Sequence, residues 1–291
     1  MPWLQLTFTL SRAQAEAAET LLLAAGALSV TFRDAEDDPV LEPAPGETPL
    51  WSTIILTGLF EAGIDTEHLR KIISAQFPQH AVRIEPLEDR DWVRAWMDDY
   101  KPMQFGTRLW VCPKHLIPPD AAAVNLMLDP GLAFGTGTHP TTALCLRWLD
   151  SCHVNNKSVL DFGCGSGVLA IAALMLGAQH ADGCDIDPQA LVASRNNAAD
   201  NHVADKLQVA LPADLAARQY DIVMANILAG PLVQLAPKLA ALTDVGGAIV
   251  LSGILQNQAQ EICKTYAQWF EVDAPVIQDG WVRISGVKRI A

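Results

Sequence analysis

The sequence predicts an α/β fold in which a doubly wound parallel sheet, covered by helices on both faces, follows a small α+β domain. The chain has 291 residues, a length that favours two domains over one. Its first ninety residues read as strands and helices in the order β-α-β-β-α-β, and strands alternate with helices again after Pro140. Hydrophobic residues make up 50% of the chain, enough to bury a large core.

The N-terminal domain, residues 1–90, is built from four predicted strands and two helices. Ser11 caps the first helix and Gly26 ends it, whereas Asp65 caps the second and Pro78 ends it. The strands follow from alternating apolar positions or β-rich composition, and they cover residues 4–10, 28–33, 51–59 and 82–84. This order is the split βαβ pattern, which is ferredoxin-like.

Residues 91–128 are interpreted as a connector, and residues 129–291 as the second domain. Trp92 and Trp96 are four residues apart, so they share one helical face in the connector. We interpret the two tryptophans as packing between the domains; contact with a substrate is the less favoured alternative.

Charge and cysteine usage limit the classes of function. With 20 basic and 33 acidic residues the net charge is −13, which opposes binding to phosphate backbones and suits a basic partner, or simply maintains solubility. The six cysteines form no C-x-x-C pair or zinc-like cluster, so we expect no metal and reduced thiols in a cytoplasm. The start of the chain lacks the pattern of a signal peptide, and no apolar run is long enough to span a membrane.

The second domain contains a glycine-rich turn between its first predicted strand and the helix that follows. The predicted strand 159–162 runs into Gly163, Gly165 and Gly167, and a helix follows from Val168. Glycines let a ligand approach the backbone, and the helix N-terminus offers free N–H groups. The spacing lacks the third glycine of the dinucleotide fingerprint, but Asp185 ends the next strand, where a carboxylate can accept hydrogen bonds from ribose hydroxyls. The pair favours a nucleoside-bearing ligand over a purely structural turn.

These residues resemble the seven-stranded S-adenosylmethionine-dependent methyltransferases. The matching segments are residues 161–167 and 185–187. Asn226, followed by Ile-Leu-Ala at the end of the fourth strand, lies where many amino-group methyltransferases have Asn-Pro-Pro-Tyr. Both prolines and the tyrosine are missing here, which argues against a nucleic-acid base as substrate.

The run from Leu128 to Thr142, LDPGLAFGTGTHPTT, is similar to the signature of the bacterial methyltransferases of large-subunit ribosomal protein L11. Segments 226–231 and 251–254 and the small N-terminal module are also similar to that family. The resemblance implies methylation of lysine side chains and an N-terminal amine of ribosomal protein L11, with the N-terminal module recognising that protein. It implies cofactor contacts by Thr142, Gly163, Gly165, Asp185 and Asn226, the last also positioning the amine.

Several further residues near these motifs have two interpretations. Phe134, Ile227 and Leu228 could line a dry pocket for the amine, although core packing is the default for each. His139 reads first as a hydrogen-bonded loop histidine and second as a proton acceptor, so we assign no general base. Thr141 and Thr142 are possible caps of the helix after Pro140, and loop capping competes with a site role at two aspartates, Asp129 and Asp187.

Three other functions remain as alternatives. A methyltransferase acting on RNA is opposed by the charge and by the missing aromatic residue after Asn226. A dinucleotide oxidoreductase is opposed by the glycine spacing. A non-catalytic binding protein is opposed by the intact loop together with Asp185 and Asn226.

Overall fold

A computed structural model of the chain describes residues 3–36, 50–87, 100–128 and 139–290. The chain divides into two compact units, residues 1–95 and 96–291. Each unit is described by itself below.

The N-terminal unit is a four-stranded antiparallel sheet with two helices. In the described residues the strand order is β2-β3-β1-β4, with β1 and β3 paired from Trp3–Glu61 to Ser11–Thr53. The elements are β1 (Trp3–Ser11), a 3-10 turn (Arg12–Gln14), α1 (Ala15–Ala24), β2 (Ser29–Asp34), β3 (Thr53–Glu61), α2 (Thr66–Gln76) and β4 (Arg83–Leu87). The predicted βαββαβ, ferredoxin-like arrangement is therefore confirmed.

Alternation along the strands places the core of this unit on the helical side of the sheet. In β1 the side chains of Leu6, Phe8 and Leu10 are buried while their neighbours are more exposed, as a period of two requires. They pack with apolar residues of α1 and α2 in one cluster. The Asp65 carboxylate accepts hydrogen bonds from two backbone N–H groups and caps α2, as its position predicts.

A second, three-stranded sheet lies in the segment that reads as a connector. It contains β5 (Met103–Phe105), β6 (Leu109–Cys112) and β7 (Val124–Met127), with β5 antiparallel and β7 parallel to β6. Its buried side chains belong to the same core cluster as the helices of the large sheet. Part of the segment is thus packed structure, and the domain boundaries at residues 90 and 128 stay predictions.

The remaining elements alternate between strands and helices along the chain. They are α3 (Pro140–Ser151), β8 (Ser158–Phe162), α4 (Val168–Met175), β9 (His180–Cys184), α5 (Pro188–Asp200), β10 (Leu207–Ala210), β11 (Tyr220–Asn226), α6 (Ala229–Leu242), β12 (Thr243–Leu255), α7 (Ala259–Tyr266), β13 (Phe270–Val272), β14 (Val276–Gln278) and β15 (Trp281–Lys288).

The large sheet is parallel in its centre and antiparallel at one end. Its described strands follow the order β10-β9-β8-β11-β12-β15-β13, and an eighth short strand, β14, pairs with β15. The α/β class is confirmed, but the expectation of a purely parallel sheet is wrong at β13, β14 and β15. The reason is local: Asp279 and Gly280 both have positive φ and form a tight two-residue turn that forces β14 and β15 into a hairpin.

Two apolar layers sandwich this sheet. Val159, Ile222 and Met224 point towards α3, α4 and α5, whereas their strand neighbours Leu160 and Val223 point towards α6 and α7. Alternate residues of one strand therefore serve opposite layers. In the described residues, no helix is long and apolar enough to cross a bilayer.

Candidate active site

A pocket of about 370 Å³ opens at the carboxyl ends of β8 and β11. From β8 the chain moves outwards to β9 and β10 and then returns to the other side of β8 as β11. This reversal leaves a crevice above the sheet, where open α/β sheets bind their ligands. The pocket is lined by Thr142, Asp161, Phe162, Gly163, Cys164, Gly165, Val168, Leu169, Cys184, Asp185, Ile186, Pro212, Asn226, Ile227, Leu228, Pro231 and Leu235.

The glycine-rich turn between β8 and α4 forms the floor of the pocket. Gly163 has a φ of +79°, and a Cβ atom there would lie 2.3 Å from Cγ2 of Ile227. A side chain at this position would therefore displace the segment that follows β11. The helix α4 begins immediately after the turn, and its first two residues, Val168 and Leu169, line the pocket.

Asp185 holds the turn in place from the end of the neighbouring strand. Its Oδ2 accepts a hydrogen bond from Gly165 N at 2.9 Å, and its Oδ1 accepts one from Asp187 N at 3.0 Å. A carboxylate oxygen can accept more than one hydrogen bond, so both oxygens retain capacity for ligand donors.

Asn226 and Thr142 meet at the opposite wall of the pocket. Asn226 is the last residue of β11, and its Nδ2 donates a hydrogen bond of 3.2 Å to Oγ1 of Thr142 in the first turn of α3. Thr142 is fully buried, so its position is fixed by packing. This hydrogen bond sets the rotamer of Asn226, and no described residue donates to the amide oxygen, Oδ1.

Asp161, directly before the turn, is a buried carboxyl with one unsatisfied oxygen. It is 1% exposed; Oδ2 accepts a hydrogen bond of 3.2 Å from Ala170 N, and Oδ1 has no partner among the described residues. Burial, reinforced by the charge of Asp185 and opposed by the Ala170 N–H group, raises the pKa of Asp161 to about 7. Within the described part of the chain, no cationic side chain pairs with this carboxyl group of the pocket.

Comparison with known proteins gives the family of this chain. A family model described as "Ribosomal protein L11 methyltransferase (PrmA)" matches residues 2–289. The chain belongs to the ribosomal protein L11 methyltransferase family. It is an S-adenosylmethionine-dependent methyltransferase, as the sequence resemblance implies.

Similar proteins span nearly the full length of this methyltransferase. A ribosomal protein L11 methyltransferase of Pseudomonas putida (strain W619) is 56% identical over 294 residues, covering 99% of this chain and 100% of the relative. Another, from Pseudomonas aeruginosa (strain LESB58), is 54% identical and covers 99% of both chains. A solved structure, the ribosomal protein L11 methylase of Lactobacillus delbrueckii subsp. bulgaricus, is 31% identical with a TM-score of 0.60, covering 66% of this chain and 100% of that one.

Four features of the pocket of the methyltransferase suit its cofactor. The turn leaves backbone accessible because Gly163 carries no side chain. Asp185 offers acceptors for sugar hydroxyls, and the buried carboxyl of Asp161 can carry a negative charge that balances a cation in the pocket. Ile186, next to Asp185, lines the pocket and is 86% exposed. Its side chain gives the rim an apolar surface that the described residues leave uncovered and that a flat apolar part of a ligand can contact.

The structure brings all five sequence-predicted site residues, Thr142, Gly163, Gly165, Asp185 and Asn226, to the lining of this one pocket. Ile227 and Leu228 also line it, whereas Phe134 and Asp129 lie outside the described residues. Sequence reasoning assigned no separate role to Asp161 or Ile186. A signal for Ile186 was available, since an isoleucine between two aspartates at a strand end has little chance of burial.

The N-cap of α3 is not the residue that the sequence suggests. His139, rather than Thr141 or Thr142, is the N-cap of α3: its Nδ1 accepts from Thr141 N at 3.4 Å and lies 2.7 Å from Thr141 Oγ1. Its ring packs edge-on against the ring of Trp281, with the two ring centroids 4.7 Å apart. Burial lowers the pKa of His139. These contacts favour the interpretation of His139 as a hydrogen-bonded loop histidine over that of a proton acceptor. Asp187 caps α5 through Gln189 N.

Gly253, in β12, supports the segment that follows Asn226. Its φ is +83°, and a Cβ atom there would lie 2.2 Å from the backbone oxygen of Ile227. We expect Gly253→Ala to lower the free energy of unfolding by about 2 kcal/mol or more, because the left-handed backbone costs about 1–2 kcal/mol and the contact adds to it. Urea denaturation measures this change.

Gly246→Ala is the matched control, because Gly246 has a φ of +75° in the same strand but open space around its Cβ position. It reports the backbone cost alone. Equal losses in the two variants would contradict the inferred support of Ile227 by Gly253.

Proposed function

We propose that this enzyme transfers methyl groups from S-adenosylmethionine to amino groups of ribosomal protein L11, namely lysine side chains and the N-terminal amine. The observation that carries the proposal is the meeting of Asn226 with Thr142 at the pocket wall, beside the glycine-rich turn. This arrangement places a fixed, neutral amide oxygen next to a site suited to the cofactor. The names of its close relatives supply the protein substrate.

In the proposal the residues of the pocket divide the tasks among them, and Thr142 holds Asn226 in place. Asp185 accepts hydrogen bonds from the ribose, and Gly163 and Gly165 leave room for the methionine part of the cofactor. The buried carboxyl of Asp161 balances positive charge. When bound, S-adenosylmethionine supplies an electrophilic methyl group on a sulfonium. Asn226 Oδ1 accepts a hydrogen bond from the incoming amine and directs its lone pair, and such positioning can lower a barrier substantially.

The amine must reach the site without its extra proton, because an ammonium has no lone pair. A free lysine has a pKa of about 10.4, and a dry environment lowers that value. Ile227, Leu228 and Pro231 give the pocket wall beside Asn226 an apolar character. They disfavour the charged amine, and no general base is assigned.

The N-terminal unit is proposed to recognise the protein substrate. It has a complete core of its own, which suits a separate binding module. The net charge of −13 favours a basic protein partner over direct contact with nucleic acid. Modification of a ribosomal protein implies a cytoplasmic location.

Mass spectrometry of purified ribosomal protein L11, incubated with the enzyme and S-adenosylmethionine, tests this function. We expect mass increases by whole methyl groups, mapped by peptide sequencing to lysines and to the N-terminus. In a time course, Asn226→Ala should slow these mass increases by about a hundredfold or more. Methyl transfer to bare RNA, with ribosomal protein L11 unmodified, would contradict the proposal.

A further inference from the structure

A second pocket, of about 360 Å³, lies between α3, β14 and β15 and belongs to none of the machinery described above. Its size is within the range of small-ligand sites. The lining includes two arginines and, among these residues, no carboxylate. The lining residues are Leu144, Arg147, Trp148, Ser151, Val276, Ile277, Gln278 and Arg283.

Regular periodicity explains why these side chains converge. Leu144, Trp148 and Ser151 are spaced i, i+4 and i+7 in α3, so they share one face of the helix. In β15, Val282 and Ile284 are buried against the α6 and α7 layer, so Arg283 between them points towards α3. The contact of His139 with Trp281, two residues before Arg283, places the same side of the strand against the start of α3.

Arg283, in the lining of this pocket, has one unsatisfied guanidinium nitrogen. Its Nε is buried without a hydrogen-bond partner, and no salt bridge of Arg283 is found among the described residues. Burial is the largest influence on the pKa of Arg283; Cys145 and then Asp273 oppose it at longer range, and the carboxylate of Asp273 already accepts a 2.7 Å hydrogen bond from Ser285 Oγ. Burial outweighs this attraction and lowers the pKa of Arg283. An unpaired buried donor is unfavourable, so the free protein retains it at a cost.

A second cation and an apolar wall complete the site. Arg147 Nη1 donates to Gln278 Oε1, which holds this arginine at the rim while its other N–H groups remain available. Val276 is 41% exposed and is the cross-strand partner of Arg283, so its side chain lies on the same side of the hairpin as Arg283. A ligand that fits has one anionic group and one apolar group.

We propose that this pocket binds a carboxylate carried on an apolar residue, such as an acylated aliphatic amino acid or the C-terminus of a polypeptide. The planar fork of Arg283 matches the two oxygens of a carboxylate. The apolar group covers Trp148 and Val276. A polyphosphate chain suits the site less well, because it has no apolar group to cover Trp148 and Val276. The proposal does not depend on the methyl-transfer function.

NMR titration of the full chain with N-acetyl-L-leucine tests the site. The side-chain Nε–Hε signal of Arg283, assigned by its loss in Arg283→Gln, should shift saturably. N-acetyl-L-leucinamide, which lacks the negative charge, should leave it unchanged, as should inorganic phosphate at the same concentration. A peptide with a free C-terminal leucine binds more tightly than the amino acid if a polypeptide is the natural source, and equally if a free acid is.

Two variants separate a binding role from a structural one. With the Trp148 indole N–H signal as the probe, Arg283→Gln should weaken N-acetyl-L-leucine binding by about tenfold or more, the scale for hydrogen bonds to charged groups. Its melting temperature should stay equal or rise, because an unpaired buried charge is removed. Arg147→Gln should weaken binding less. No saturable shift, an equal response to the neutral amide or to phosphate, or unchanged affinity in Arg283→Gln would each overturn the proposal.

Discussion

Asn226→Ala is expected to reduce kcat for methyl transfer by about a hundredfold or more, the scale on which misplaced reactants lose rate. The side chain is proposed to orient the amine, so its loss should affect the step after substrate binding. Cofactor affinity should change much less, because Asp161, Asp185 and the glycine-rich turn are intact. Single-turnover measurements with saturating cofactor and substrate separate the rate of transfer from binding.

Thr142→Val is the matched control for this prediction. Valine keeps the volume of Thr142 but cannot accept the 3.2 Å hydrogen bond from Asn226 Nδ2. The amide should then sample several rotamers, and kcat should fall by a smaller factor than in Asn226→Ala. A variant Asn226→Ala with normal kcat and weakened cofactor binding would show that the residue serves the cofactor alone.

Much of the fold could be predicted because it depends on local patterns. The alternation in β1, the cap at Asp65 and the turn from Gly163 to Gly167 are all visible in short stretches of sequence. The antiparallel β14–β15 hairpin was missed, although Asp279-Gly280 is a typical two-residue turn, because the flanking strand β14 is only three residues long.

The site was predictable in its membership but not in its electrostatics. Asp185 and Asn226 could be identified because strand ends of a parallel sheet converge at one edge. Asp161 has an unsatisfied oxygen because α4 covers the end of β8 and buries the carboxyl. Arg283 has an Nε atom without a hydrogen-bond partner because of how α3 packs against β15. Both are properties of burial by distant residues, so no short motif contains them.

Asp161 should make cofactor binding dependent on pH. Burial raises its pKa to about 7 in the free protein, so near neutral pH the carboxyl is partly protonated. The positive charge of a bound cofactor is expected to favour the ionised form of Asp161, so binding should release protons. The affinity should therefore fall as pH decreases, by about fivefold between pH 7 and pH 6 if the pKa in the complex is well below 6.

Asp161→Asn should abolish this dependence and weaken cofactor binding by about tenfold or more at pH 7, since a charge-assisted interaction is lost. Calorimetry in buffers of different ionisation enthalpy counts the protons released. Any titration of the cofactor itself is common to both proteins, so the difference between them isolates Asp161. Asp221→Asn is a control that should keep the dependence, because hydrogen bonds from Ser158 and Lys157 overcome partial burial and lower the pKa of Asp221 to about 2.

The same carboxyl should affect the stability of the free enzyme in the opposite direction. Its pKa in the folded protein lies above the unfolded value of 3.8, so the folded state holds the proton more tightly between these two values. The free energy of unfolding of the wild type should therefore decrease, relative to Asp161→Asn, as pH rises from about 4 to about 7. A wild-type curve parallel to that of the variant across this window would show that Asp161 is already ionised, and the predicted proton release would then not occur.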